Sequence, residues 1–138
     1  MAEEEHLVEV EVVTPEGAVY EGQAELVSTR TTTGEIGIKA RHIPILARLR
    51  PTTLRVHTDD GDVKEWAQAE GYIQVFANRA LVLIEEAIEV DELDSSELEQ
   101  RISDAEEKME AEDEDSAAYS VAQDNKERAE AFLELAKS

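Results

Sequence analysis

The chain contains no cysteine. Disulfides, thiol nucleophiles and thiolate metal sites are therefore excluded, and cysteine usage leaves the redox compartment open. Aromatic residues make up only 4% of the 138 residues, and the apolar share of 41% is low for a globular chain. That material supports one modest core, either a single domain or a small domain with an appendage. No apolar run approaches the ~18 residues that a membrane-spanning helix needs. The acidic start, MAEEEH, lacks an apolar segment, so no secretory signal is expected and the protein is expected to be soluble and cytosolic. Bases are scarce as well: 13 Lys and Arg face 34 Asp and Glu, for a formal charge of −21. Such a chain is not expected to bind nucleic acid, which must be met by a net positive surface. Nor is it expected to dock by charge on an anionic membrane. Self-repulsion at this density destabilises a compact state at low ionic strength, and the acidity points to a host cytoplasm rich in salt.

What is present changes character near residues 91–94. In the first part Val8, Val10 and Val12 alternate with Glu9 and Glu11, the period of a half-buried strand. Pro15-Glu16-Gly17 is turn chemistry, and an extended run follows from Val19 to Thr29. Strands over 52–58 and 63–69 flank Asp60-Gly61, a strong hairpin signal. Strands over 71–76 and 80–84 flank the tight turn Ala77-Asn78-Arg79. Short strands without crossover helices predict an antiparallel β-sandwich or barrel rather than a parallel α/β sheet.

From Asp94 the period is helical. Asp94 is a helix cap with Glu97 three residues on, and Leu98, Ile102, Ala105 and Met109 form a narrow seam. Residues 110–116 are too acidic for a core and predict a turn. A second helix carries Ala118, Val121, Ala122, Ala129, Phe132 and Ala136 along one side. The expected product is an antiparallel two-helix hairpin over 93–138 behind a β-sandwich domain over 1–92. With a seam poor in large side chains, the hairpin is the part expected to move.

Catalysis finds little support. His6, His42 and His57 lack ligand spacing, Asp59, Asp60 and Asp62 fit a hairpin turn better than a calcium loop, and Glu85-Glu86 carries no weight as an acid–base pair. Neither a nucleophile elbow nor a Walker loop is present, and no metal, nucleotide or other cofactor is expected. One segment reverses the local field. Residues 36–58 contain no acid but carry Lys39, Arg41, Arg48, Arg50 and Arg55, a candidate docking face for an acidic partner.

Several blocks together carry a family resemblance. Val13-Thr14-Pro15-Glu16-Gly17 with Val19-Tyr20, then Gly34-Glu35-Ile36-Gly37-Ile38 and His42-Ile43-Pro44-Ile45-Leu46, resemble the epsilon subunits of F-type ATP synthases. Gly71-Tyr72-Ile73-Gln74-Val75, and Asn78 ahead of Leu81-Val82-Leu83, are similar to that family's later strands. The resemblance covers residues 7–91, and the helical hairpin follows at the right place and length.

The resemblance implies a flattened ten-stranded sandwich and two C-terminal helices. It implies a non-catalytic rotor subunit, bound to gamma, resting on the ring of c subunits and coupling proton-driven rotation to ATP synthesis. No homo-oligomer is required, and the membrane is reached only through the complex, at the cytoplasmic face of the bacterial plasma membrane. Thr33, Gly34, Glu35 and Ile36 fall at the c-ring turn, and Gly37, His42, Pro44 and Gly71 at motif positions. The hairpin, through Arg101, Lys108, Lys126 and Arg128, would contact the beta subunit transiently and restrain hydrolysis. This chain departs from the pattern at Lys39-Ala40-Arg41, where proline and glycine usually precede the histidine. It also has Asp94-Ser95 where an ATP-binding arginine–alanine pair would fall, so no nucleotide binding is expected. With five bases among fifteen acids after residue 93, inhibition is expected to be feeble, and removing 93–138 should leave hydrolysis nearly unchanged; a several-fold rise in hydrolysis would contradict this. An adaptor that recognises its partner through the basic 39–55 face is the alternative role.

Overall fold

A computed structural model describes residues 6–138; the acidic stretch before His6, on which the expectation about a leader rests, lies outside the described residues. The chain divides at Glu89/Val90 into two compact units, close to the composition change in the sequence.

The first unit holds ten strands: β1 (Val8–Thr14), β2 (Gly17–Ala24), β3 (Leu26–Thr31), β4 (Gly34–Ile38), β5 (Ile45–Leu49), β6 (Thr52–His57), β7 (Val63–Gln68), β8 (Gly71–Phe76), β9 (Arg79–Ile84) and β10 (Ala87–Glu89). They run in the order β10-β7-β6-β3-β5-β8-β9-β1-β2, with β4 on the other edge of β3. The path bends where β3 hands over from β6 to β5, because only Thr31↔Leu49 joins β3 to β5. Two layers therefore face each other, and their inward residues alternate along each strand as the valine period of β1 requires. Val8, Val10 and Val12, Val27, Leu54 and Val56, Ile73 and Val75, and Val82 and Ile84 fill the space between them. Tyr20 on β2 meets Trp66 on β7 with ring centroids 5.7 Å apart and planes tilted by 60°, so the far end of the path packs back on the opposite layer.

Two strand expectations need correction. The run Val19–Thr29 is two strands, split at Glu25, whose amide donates to His57 O (2.8 Å) and turns the chain from one layer to the other. The sandwich is not wholly antiparallel either: β1 and β9 pair in parallel from Glu9↔Arg79 to Val13↔Leu83. The long intervening chain makes that geometry accessible without a crossover helix. The expected tight turn is present between β8 and β9, with Ala77 and Asn78 both at positive φ (50° and 62°) as the twist of a two-residue hairpin demands.

Three buried polar side chains, Thr29, Thr31 and Gln68, break the apolar interior. Gln68 is fully buried and donates through Nε2 to Arg50 O (3.0 Å), holding the bend at Pro51. Thr29 is buried among inward positions of β3, and its hydroxyl has no partner. An unsatisfied buried hydroxyl costs ~1–3 kcal/mol of desolvation, so Thr29→Val, which keeps the β-branch, is expected to raise stability by about 1 kcal/mol. A denaturant midpoint that falls in Thr29→Val would show that the hydroxyl is satisfied in solution.

The second unit opens with a 3-10 turn (Val90–Glu92) and continues as α1 (Ser95–Ala111) and α2 (Ala117–Lys137), which pack against each other. Asp94 caps α1, accepting from the amides of Ser96 (2.9 Å) and Glu97 (3.3 Å), and Ser116 caps α2 through Tyr119 N (3.1 Å). Leu98 and Ala105 are buried on α1, and Ala122, Ala129 and Phe132 on α2. The seam on α2 is shorter than expected: Val121 is 59% exposed and Ala118 is exposed. One residue turns a helix by about 100°, so Val121 cannot share the line of Ala122. α1 also carries two residues, Glu110 and Ala111, into the stretch read as turn.

Candidate interaction surfaces

The β3–β4 turn is built by one side chain. Thr31 Oγ1 accepts from Thr33 N (3.1 Å), lies 3.1 Å from Thr33 Oγ1 and donates to Gly34 O (3.0 Å). Gly34 sits at φ +140°, a region that favours glycine, and closes the turn onto Thr31. Arg30 and Glu35, directly opposite across the pair, join by a 2.9 Å ion pair. Thr33, Gly34 and Glu35 are thus held in an exposed, pre-shaped tip, while Ile36 turns back to pack against the core. Thr31 was not singled out from the sequence; a threonine two residues before such a tip is its only signal there.

The loop 39–44 is fastened from a distance. Asn78 accepts from Arg41 N (2.9 Å) through Oδ1 and donates to Leu7 O (3.0 Å) through Nδ2, so one side chain ties three segments together. Arg41 takes φ 60° in this loop, a left-handed conformation uncommon for a residue with a side chain. His42 turns its Nδ1 to Ile43 O (2.7 Å), and Pro44 lies exposed beside it. Gly37 faces out of β4 opposite Ser28. Gly71 is the most constrained glycine: a Cβ there would lie 1.9 Å from Leu83 O.

The five bases of the acid-free segment do not share one site. Lys39 and Arg41 lie in the loop near Asn78, at the start of β5. Arg48 and Arg50 lie at the other end of β5, where Arg48 O accepts from Thr32 N (3.0 Å) and Arg50 N donates to Arg30 O (3.3 Å). Arg55 stands across from Ser28 and pairs with Glu65 at 3.3 Å. Arg30, outside the acid-free run, therefore belongs with Arg48, Arg50 and Arg55 at the corner of the sandwich.

A surface missed in the sequence runs beside it. On the outward face of β5, β8 and β9, Arg48, Tyr72 and Leu83 form one cross-strand row and Leu46, Gln74 and Leu81 the next. Ile43 and Leu46 are 72% exposed and Phe76 is 64% exposed, with Tyr72 and Leu83 close to half. The signal was present: in Gly71-Tyr72-Ile73-Gln74-Val75-Phe76 the polar phase of the alternation is itself largely apolar.

Tyr20 and Asp60 titrate away from their ordinary ranges. Burial raises the Tyr20 phenol, and the charges of Asp59 and Asp60 add to it. Asp60 is lowered by the Thr58 hydroxyl and then by the Asp62 amide, a turn network that accounts for these aspartates without a cation. Among the described residues no three His, Asp or Glu side chains converge on a metal position, and no helix is long and apolar enough to cross a membrane.

In the hairpin the bases are engaged or flanked by acids. Lys126 reaches from α2 to Glu106 on α1 at 3.3 Å. Arg101 and Lys108 line a shallow crevice of about 240 Å³ with Asp104, Ala105 and Asn125. Arg128 is half-buried on α2. Of these, Lys126 bridges the two helices.

A two-layer β unit with a pre-shaped exposed tip and an apolar outer face, followed by a helical hairpin, defines a protein made of interaction surfaces. Residues 7–90 match the family described as ATP synthase, Delta/Epsilon chain, beta-sandwich domain, and the chain belongs to that family. The ATP synthase epsilon chain of Persephonella marina is 37% identical over 131 residues, spanning 92% of this chain and 94% of that one. That of Shouchella clausii is 34% identical over 129 residues, spanning 94% and 89%. A chain in the cryo-EM structure of the Euglena gracilis mitochondrial ATP synthase, OSCP/F1/c-ring in rotational state 1, superposes with a TM-score of 0.75 at 22% identity, covering 96% of this chain and 82% of that one. One in the central stalk/c-ring structure of the Tetrahymena thermophila enzyme does so with a TM-score of 0.61 at 19% identity, covering 93% and 95%. At such identities the likeness is one of fold.

Proposed function

We propose that this chain is the epsilon subunit on the rotor of a proton-driven bacterial F-type ATP synthase: a non-catalytic part that links gamma to the c ring. Family membership supports the role. The observation that carries the mode of action is the exposed strip of Ile43, Leu46, Tyr72, Phe76 and Leu83 on a molecule otherwise coated with acids. Apolar area of this kind on a soluble subunit marks a protein interface, and tyrosine and phenylalanine are strong anchors within one. Gamma is assigned to this strip, with Arg48 and Arg79 at its margin, each opposite an aromatic across the strand pair.

The Thr33–Ile36 tip is assigned to the polar loops of the c ring. Its internal hydrogen bonds suit a contact that must transmit torque without deforming, because a pre-shaped turn loses little freedom on binding. Through these contacts the chain sits at the cytoplasmic face of the plasma membrane without inserting into it. The hairpin reaches the beta subunit only transiently, and the poverty of free bases makes its restraint on hydrolysis weak.

The test is co-elution with gamma from the same host on a sizing column in molar KCl. A one-to-one complex is expected, and replacing Tyr72 and Phe76 together by serine should weaken it by about a thousandfold, since each anchor of this kind is worth ~2 kcal/mol and every ~1.4 kcal/mol is tenfold. Separate peaks for two folded proteins would refute the rotor assignment and leave the adaptor reading through the basic corner.

A further inference from the structure

The corner of the sandwich has a second feature, away from the apolar strip and adjoining the Thr33–Ile36 tip, whose Glu35 and Ile36 also line it. β3 pairs with β6 only from Leu26↔His57 to Ser28↔Arg55, and its next tie is Thr31↔Leu49 on β5. Two residues of β3, Thr29 and Arg30, are thus set against the five residues 50–54 of the bend, so the ladder splits. Beside this split, across β4, β3 and β6, lies a hollow of about 490 Å³, at the small end of ligand-sized clefts. Ser28, Arg30, Glu35, Thr52, Thr53 and Arg55 line it.

The chemistry of that lining is opposite to the rest of the molecule. Two guanidiniums, the hydroxyl residues Ser28, Thr29, Thr52 and Thr53 and a single carboxylate, Glu35, line one cleft in a chain of charge −21. Arg50, hydrogen-bonded to Arg30 through the backbone, and Arg48 stand close by at the corner, and among the described residues neither forms an ion pair. The lining arginines are tied only to exposed carboxylates, Arg30 to Glu35 at 2.9 Å and Arg55 to Glu65 at 3.3 Å. Exposed pairs of this kind contribute ~0–1 kcal/mol, so an anion offering more acceptor oxygens competes well for the same forks. A planar carboxylate engages one fork. A tetrahedral oxyanion presents acceptors in several directions at once, which suits two forks and three hydroxyl donors arranged around a cleft.

We propose that this hollow is a phosphate-class oxyanion site, with Arg30 and Arg55 as the charged ligands and Ser28, Thr52 and Thr53 as hydroxyl donors. The group is either free inorganic phosphate or the phosphate of a small monoester, for which the cleft has room. The site lies across β3, β4 and β6, away from the apolar strip assigned to gamma, and shares Glu35 and Ile36 with the tip assigned to the c ring; titrating the isolated chain tests it whether or not the rotor assignment holds. Its salt dependence is unusual for an anion site. The field of the whole chain repels anions at low ionic strength, so binding is expected to tighten as potassium chloride is added through the range where that field is screened.

The experiment is titration of the full chain with inorganic phosphate, and in a parallel arm with glycerol phosphate. Binding is followed by amide chemical shifts of Ser28, Thr53 and Arg55 and by the emission of Trp66, the sole tryptophan, which pairs with Leu54 across β6 and β7. Saturable shifts confined to β3 and the 50–55 segment are expected in at least one arm, and the arm that saturates at lower concentration identifies the source. Arg30→Gln and Arg55→Gln should each weaken binding by about tenfold, the effect of one charge-assisted hydrogen bond of ~1.4 kcal/mol, and Thr53→Val by less. Lys137→Gln, at the end of the hairpin, should leave it unchanged. Both arginines are exposed, so these variants are expected to fold, and their amide spectra verify it. Shifts that do not saturate in either arm, or that persist equally in Arg30→Gln and Arg55→Gln, overturn the proposal.

Discussion

In dilute buffer the protein melts well below its melting temperature in molar potassium chloride. The chain carries an excess of 21 negative charges, and among the described residues no acid is buried: Thr29, Thr31 and Gln68 are the buried polar residues there. Ion pairs offset only part of it: Arg30–Glu35, Arg55–Glu65, Lys64–Asp62 and Lys126–Glu106 are exposed or half-exposed pairs. At ~0.2 kcal/mol for each uncompensated charge, the low end for like-charge neighbours, the repulsion amounts to about 4 kcal/mol, or roughly 10–20 °C in a chain of this size. Raising the salt from 0.1 M to 1 M shortens the screening length from ~10 Å to ~3 Å, less than the spacing of most surface carboxylates. The unfolded chain also repels itself, but over longer distances, so folding gains on balance. Melting curves in the two buffers decide it, and an equal or lower midpoint in molar salt would sink the argument.

The second large effect is local. Gly71→Ala places a methyl 1.9 Å from Leu83 O and 2.8 Å from Ile84 Cα, both backbone atoms of the neighbouring strand. Gly71 pairs with Ile84 on one side and with Leu49 on the other, so β8 has nowhere to retreat. Relief requires breaking the end of the β8–β9 ladder, beneath Tyr72 and Leu83 of the apolar strip. A loss of at least ~3 kcal/mol is expected from this overpacking. Gly22→Ala is the control: its methyl would meet only the end of the Tyr20 ring, at 2.8 Å from the hydroxyl, and a side-chain shift relieves it. That variant should lose no more than about 1 kcal/mol. Denaturant unfolding followed by Trp66 emission compares the two, and similar midpoints would show that β9 yields to the Gly71 methyl.

Gly71 also shows how far the residues could be read without coordinates. Its place in the motif beside Tyr72 was legible, whereas its reason was not, because the obstructing carbonyl belongs to a residue twelve positions later. The same holds for Asn78. As a turn residue it is evident from its neighbours, but its side-chain bonds run to Arg41 and Leu7, 37 and 71 residues away. The basic run 39–55 was evident as composition, yet it is cut in two by the length of β5, and its larger part gathers Arg30 from a different strand. The cap at Asp94 and a turn in the acid run were legible, since caps and turns are local devices, although α1 runs on through Glu110 and Ala111 and Val121 lies off the seam.

The sequence by itself determined the acidic character, the change from period 2 to a helical period near residue 91, the caps, the tight turns and the blocks that mark the family. Each depends on neighbours a few positions apart, and side-chain alternation, capping and charge are decided at that range. Only the tertiary structure decided that β1 lies parallel to β9, that β3 changes partner between β6 and β5, and that arginines and hydroxyls line a hollow beside the resulting split. It also decided which outward residues remain uncovered in the apolar strip. Pairing partners and coverage depend on contacts between segments far apart in the chain, and no local period encodes them.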